Sequence, residues 1–135
     1  MIIKFESLLT GAKNAVGTAV IIDVFRAFTT APILFSKGAK KLIFVADISE
    51  AIKLKKQGIG QICVGEVDGI KPSGFDFGNS PHEISKADVR GQTIIQSTRA
   101  GTVGVIAAQN ASKIYVASLV NASATARVIK KYDEN

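Results

Sequence analysis

The chain has 135 residues, 47% hydrophobic and 21% charged, the composition of one globular domain and not of a disordered tail. Its 17 basic and 11 acidic residues give a net charge of +6, but the lysines are scattered over turns and helix ends, with no arginine stripe or aromatic interleaving. That pattern points to a small anionic partner and away from nucleic acid. The single Cys63 excludes an internal disulfide framework, no apolar run reaches the ~20 residues of a membrane span, and Lys4 and Glu6 interrupt any leader-like stretch. A cytoplasmic protein with no membrane partner is expected.

Along the chain, Ile2–Phe5 reads as a short opening strand. Thr18–Val24 is a nearly continuous apolar run with a carboxylate near its end, as expected of a strand buried on both faces. Arg26–Ser36 has a helical pattern in which Pro32 demands a late start or a kink, and Gly38 stops it. Lys41–Ala46 is the next strand. Asp47 and Glu50 resemble a capping box that opens a helix ending at Gly58, and Gln61–Gly65 is strand again.

Glu66–Asn79 (EVDGIKPSGFDFGN) is too irregular for either element. A loop this long in a compact domain is either functional or disordered, and the buried-looking Phe75 and Phe77 argue against disorder. Ser80-Pro81-His82-Glu83 reads as N-cap, first-turn proline and N3 glutamate of a short helix. Strands at Gln92–Gln96 and Lys113–Ala117 follow, each leading into a helix, at about 101–110 and 122–132. The alternation predicts a three-layer α/β fold with a mainly parallel sheet, covered by helices on both faces, in a single domain over 1–135.

In such sheets ligands bind where strands exit at their carboxyl ends. The exits here are polar: Asp23 and Arg26, Asp47, Glu66 and Asp68, Ser97, Thr98 and Arg99, then Ser118 and Asn121. Asp23 could hold Mg²⁺, act on a proton, or simply cap the following helix. Arg26 could fork onto a phosphate or pair with Asp23. Glu66 and Asp68, at alternate positions, could share a hard cation or form a solvated turn before Gly69. Asp76 lies between two aromatics and should have either a partner or a raised pKa. Ser97-Thr98-Arg99-Ala100-Gly101-Thr102 brings hydroxyls, an arginine and a helix N-terminus together, as phosphate or sulfonate binding requires; an ordinary N-cap is the alternative. His82 has no metal-ligand spacing, and Cys63 sits mid-strand as core.

Several phosphatase chemistries are absent. An aspartyl phosphatase of the haloacid-dehalogenase type needs a second Asp two residues after the first, where Phe25 stands. A tyrosine-phosphatase loop needs Arg six residues after cysteine, where Gly69 stands. Glu66 follows Gly65 where a nucleotide P-loop needs lysine.

The segments Val20–Ala27 (VIIDVFRA), Gly65–Gly69 (GEVDG), Gly74–Pro81 (GFDFGNSP), Ser97–Thr102 (STRAGT) and Ser118–Ser123 (SLVNAS) resemble, in order and spacing, the 2-phosphosulfolactate phosphatase family. The likeness implies an α/β/α fold, Mg²⁺ as cofactor, and release of phosphate from a small phosphorylated anion on a route to coenzyme M. Joining chemistry to fold position, Asp23, Glu66 and Asp68 are the candidate metal ligands. Asp23 and Asp76 are the candidate catalytic groups. Arg26, Asn79, Ser80, Ser97, Thr98, Arg99, Gly101, Thr102, Ser118 and Asn121 are expected around the substrate. The chain reads as the N-terminal part of a longer family fold, so Lys113–Ala117 is expected to lack a sheet neighbour and the protein to associate as a homo-oligomer; a catalytically incomplete anion-binding or dimerisation domain is the alternative.

Overall fold

The computed structural model describes residues 2–133, in which strands and helices alternate. The order begins α1 (Leu8–Asn14), β1 (Gly17–Ile22), α2 (Ala27–Ser36), β2 (Lys41–Val45), α3 (Ile48–Lys56) and β3 (Ile62–Gly65). A two-residue β4 (Phe77–Gly78) interrupts the long loop. Then follow α4 (Pro81–Ser85), β5 (Thr93–Ser97), α5 (Gly101–Ala107), β6 (Ala111–Ala117) and α6 (Ala122–Asp133).

The strands pair in parallel as a four-stranded sheet, β2-β5-β3-β4, and a separate ribbon, β1-β6. Side-chain alternation along β5 divides the layers. Ile94 points with Val64 into a cluster with Leu34 of α2 and Ile84 of α4. Ile95, its neighbour, points the other way with Cys63, against Ala51 of α3 and Phe75. Sheet and ribbon meet under α2, where Ala27, Phe28 and Ala31 gather Leu42 and Phe44 from one and Ile21 and Val116 from the other.

Register sets the position of the site. Val45, Gly65 and Ser97 are aligned across β2, β3 and β5, and Gly78 is aligned with Gly65. The four strands therefore end flush. In the ribbon, Ile22 is level with Ala117, so Asp23 and Ser118 leave together. Gly65 makes the tight end possible, because a Cβ there would lie 1.9 Å from the Ser97 carbonyl oxygen.

Helix α2 continues through Pro32, and at its end Gly38 takes φ +88° while the Ala39 amide bonds the Leu34 carbonyl. The end of α3 repeats this pattern with Gly58 (φ +73°) and Ile59. Some expectations are corrected. Ile2–Phe5 forms no strand: it finds no sheet edge, and Ile2 and Phe5 are exposed. Asp47 stands at the N-cap of α3, but its side chain makes no capping hydrogen bond. Lys113–Ala117 does have a neighbour, since β6 pairs along its length with β1. Cys63 is fully buried, and burial pushes its thiol pKa up, as suits a core residue.

Candidate active site

The site forms where the flush exits meet the turn between β5 and α5. Glu66 leaves β3 with its amide on the Ser97 carbonyl (3.1 Å). Its carboxylate accepts from the Gly69 amide at 2.8 Å and from the Arg99 amide at 3.0 Å. Asp23 leaves β1 with its amide on the Ala117 carbonyl (3.0 Å), and its carboxylate accepts from the amides of Ala27, Gly101 and Phe25. The two carboxylates thus grip alternate amides, at 99 and 101, of one turn. Gly101 permits this approach: a Cβ there would lie 2.6 Å from both Asp23 Oδ2 and Ala27 Cβ.

Electrostatics follow from that convergence. Burial pushes the Asp23 carboxyl above its ordinary range; the Ala27 and Gly101 amides pull it down, and the charge of Glu66 adds to the rise. Asp23 therefore senses the charge of Glu66. Asp68 turns away, at φ +52°, and accepts from Arg99 Nη1 at 2.9 Å, with both side chains mostly exposed. Such an exposed pair is weak, on the order of 0–1 kcal/mol, so Arg99 is readily freed. Arg26 stands at the N-cap of α2 and, among the described residues, makes no ion pair, with Asp23 or otherwise.

The hydroxyls are mostly engaged within the protein. Thr98 and Thr102, both buried, bond reciprocally: the Thr98 amide donates to Thr102 Oγ1 (2.8 Å) and the Thr102 amide to Thr98 Oγ1 (3.2 Å). The Gly101 and Thr102 amides, expected to receive an anion, are thus occupied by internal acceptors. Ser97 is buried beneath them. Ser118 donates its amide to Asn121 Oδ1 at 2.7 Å, while Asn121 Nδ2 donates to the Val116 carbonyl at 3.1 Å, so Asn121 closes the turn from β6 into α6.

Asn79 follows β4, directly beside the exit of β3. It is buried, and its Oδ1 has no hydrogen-bond partner among the described residues. Ser80 caps α4, accepting the Glu83 amide at 3.3 Å, and Glu83 reaches back to the Gly78 amide at 3.0 Å. Asp76 does not join this group. Its carboxylate takes the Cys63 amide (2.7 Å) and Lys55 Nζ (2.6 Å), some three residues, roughly 10 Å, before Glu66 along β3. Burial would push its pKa up, but the Lys55 and Cys63 hydrogen bonds outweigh that and hold it below the ordinary range.

Sequence reasoning missed Lys55, Gln96 and Thr30. Gln96 Nε2 donates to the Ala27 carbonyl (3.2 Å), and its Oε1, like Thr30 Oγ1, is buried without a partner among the described residues. A glutamine inside the apolar run TIIQS was the one available signal.

A parallel α/β domain whose acids and cations collect beyond the strand carboxyl ends is, by class, a small-ligand α/β domain. A family model for 2-phosphosulpholactate phosphatase matches residues 5–135. The chain is 43% identical over 117 residues to a probable 2-phosphosulfolactate phosphatase of Thermotoga petrophila, covering 87% of this chain and 50% of that one. It is 40% identical over 111 residues to one from Thermoplasma acidophilum (82% and 50%). With one from Bacillus subtilis it shares 36% over 116 residues (86% and 51%). The chain belongs to the 2-phosphosulpholactate phosphatase family, and it spans about half the length of these relatives. None of the described helices is long and apolar enough to cross a membrane.

Proposed function

We propose that the chain carries the catalytic face of a Mg²⁺-dependent phosphatase acting on the phosphate monoester of a small, multiply anionic acid of the 2-phosphosulfolactate type. The observation that carries this reading is the convergence of Asp23 and Glu66 on the 99–101 turn, with the unpaired Arg26 at the same exit.

The donor set fits a hard cation that keeps several waters. Two carboxylates from different strands approach closely enough for Asp23 to feel the charge of Glu66, and no larger group of His, Cys, Asp and Glu forms among the described residues. Mg²⁺ is commonly held by only one or two carboxylates. Asp23 and Glu66 would hold it, with Asp68 able to join once released from Arg99. When bound, it would polarise the phosphoryl oxygens and orient an attacking water. Arg26 supplies a planar fork for the phosphate, and Arg99, exchanging Asp68 for the substrate, supplies a second cation for the carboxylate or sulfonate. Asn79, buried after β4 with its Oδ1 lacking a hydrogen-bond partner among the described residues, is available to orient the ligand or Glu66. Asp76 is assigned a structural role, since Lys55 holds it ionised away from the exit row.

The test is phosphate release from 2-phosphosulfolactate by the purified chain, with and without chelator. Release that needs Mg²⁺ and disappears in Asp23→Asn supports the reading. Release unaffected by chelation, or by Asp23→Asn, refutes it. The engagement of Glu66 and Asp23 with backbone amides of the 99–101 turn, as caps would hold them, favours a second reading, an anion-binding domain without turnover. Saturable phosphate binding, weakened by Arg26→Ala but without hydrolysis, selects that one.

A further inference from the structure

A cleft of about 320 Å³ lies at the amino ends of the strands, away from the exit row. Ser36 and Lys37 at the end of α2, Lys86, Ala87 and Asp88 after α4, and Arg90 before β5 line it. β2 and β5 start beyond it, at Lys41 and Thr93, and each spans five residues, roughly 13 Å, to reach the exit row. The core fixes its frame. Ala87 and Val89 turn inward beside Leu34 and Ile84, so the intervening Lys86, Asp88 and Arg90 are exposed. The Gly91 amide donates to the Gly38 carbonyl and the Lys40 amide to the Gln92 carbonyl, both at 2.8 Å, which ties the end of α2 to the turn before β5. Lys37, Lys86 and Arg90 bring three cations against the single acid Asp88, and none of the four is in an ion pair among the described residues. Asp88 instead accepts from the Arg90 amide at 3.4 Å. A cleft of this volume is roughly 7 Å across, within the ~8 Å screening length of physiological salt, so the potentials of its cations add.

We propose that this cleft is a second anion site, for a small molecule bearing adjoining phosphate groups. Lys37 and Lys86 stand at the C-caps of α2 and α4, where helix ends favour a cation whatever lies nearby. Arg90 has no helix end to serve, and it is the one lining group with a planar fork suited to phosphate oxygens. Ser36 Oγ is committed to the Ile33 carbonyl (2.8 Å), and the Lys37 and Lys86 amides to carbonyls of their own helices, so the side-chain cations hold the ligand. The volume equals roughly ten waters at ~30 Å³ each, more than a single phosphate fills. The cations stand on three separate segments, so adjoining anionic groups meet Arg90 and the lysines together where a lone one cannot. The core-anchored frame keeps the cost of ordering the backbone low. Asp88 opposes the anion from the same wall, which makes its charge a probe of the site. The inference rests on this cleft and stands apart from the proposed reaction.

The test titrates inorganic triphosphate, and separately inorganic phosphate, into the isotopically labelled chain and reads affinity from individual amide resonances, which keeps this cleft distinct from the exit row. Saturable shifts are expected at residues 36–38 and 86–91, with triphosphate bound there about tenfold or more tighter than phosphate. Arg90→Ala and Lys37→Ala should each weaken triphosphate about fivefold or more, and Asp88→Asn should strengthen it about threefold. Lys130→Ala, exposed on α6 and outside the lining, should leave it unchanged. Lys37→Ala carries the comparison if Arg90→Ala fails to fold. Four results overturn the proposal: no saturable shifts at these residues, phosphate bound there as tightly as triphosphate, affinity indifferent to Asp88→Asn, or Lys130→Ala as damaging as Lys37→Ala. The last would mark a diffuse response to net charge.

Discussion

Asp76 offers the sharpest separation of structural from chemical roles. β4 is only two residues long, so on its β4 side β3 has no strand partner opposite Cys63, and there the Asp76 side chain stands in for a missing ladder carbonyl. Its own amide completes the pair by donating to the Cys63 carbonyl at 3.0 Å. Asp76→Ala strands the Cys63 amide and removes the Lys55 bridge. A hydrogen bond to a charged acceptor contributes about 1.5–3 kcal/mol. The bridge adds about 1 kcal/mol at most, discounted because its side chains are 32% and 34% exposed. The expected loss is roughly 2–3 kcal/mol, or about 6–12 °C in Tm for a domain of this size. Asp76→Asn keeps an acceptor and should cost about 1 kcal/mol or less. Because the folded pKa is lowered, this contribution is full above the unfolded value, roughly pH 4, and fades as pH falls through the folded one. The stability gap between wild type and Asp76→Asn in urea titrations should therefore close below about pH 4. If Asp76→Asn abolishes turnover while leaving Tm within a degree or two of wild type, the structural assignment is refuted and the carboxyl acts chemically.

Other expectations concern the exit row. Gly65→Ala should destabilise by about 1–3 kcal/mol or more, because the new Cβ meets the Ser97 carbonyl and the Phe75 ring; chemical denaturation measures it. Gly101→Ala should push aside Asp23, giving at least a tenfold loss of phosphate release with circular dichroism unchanged; full activity would detach Asp23 from the site. Arg99→Lys should weaken anion affinity several-fold, because a bidentate fork becomes a point charge, and isothermal titration with inorganic phosphate reads it. Arg26→Ala should weaken the same affinity by about tenfold or more, and an unchanged value would place Arg26 outside the site.

The fold was legible where the signal is local. Apolar runs marked β1, β2, β3, β5 and β6, and the glycines at 38 and 58 marked helix ends because αL geometry favours glycine. What failed depended on distant partners. Ile2–Phe5 has strand composition but no edge to join, and Leu8–Asn14, with Gly11 at its centre, is helical through tertiary contacts, among them the Asn110 side chain on the Lys13 carbonyl. The demand that Asp76 have a partner could be stated from its aromatic neighbours. That the partner is Lys55, 21 residues earlier, could not, since the turn of α3 toward β3 is set by packing of Ala51 against Cys63 and Phe75.

The exit row shows the same division, and it bears on why two acids should crowd one turn. The 99–101 segment offers amides that a dianionic ligand could use, yet Glu66 and Asp23 occupy two of them. Carboxylates that serve only as caps do not need to approach each other; here burial and repulsion by Glu66 both work against the charge on Asp23. The fold tolerates that cost because Gly101 lets the carboxylate in and three amides partly compensate it. A divalent cation between the acids would remove the repulsion and turn the exit row attractive to phosphate, with Arg26 and a freed Arg99 completing the charge balance. Without one, the charges of Asp23 and Glu66 would oppose the anion proposed for the site. Anion affinity should accordingly rise on adding Mg²⁺, and Glu66→Gln should reduce that dependence; phosphate affinity indifferent to Mg²⁺ would leave the two acids as caps alone.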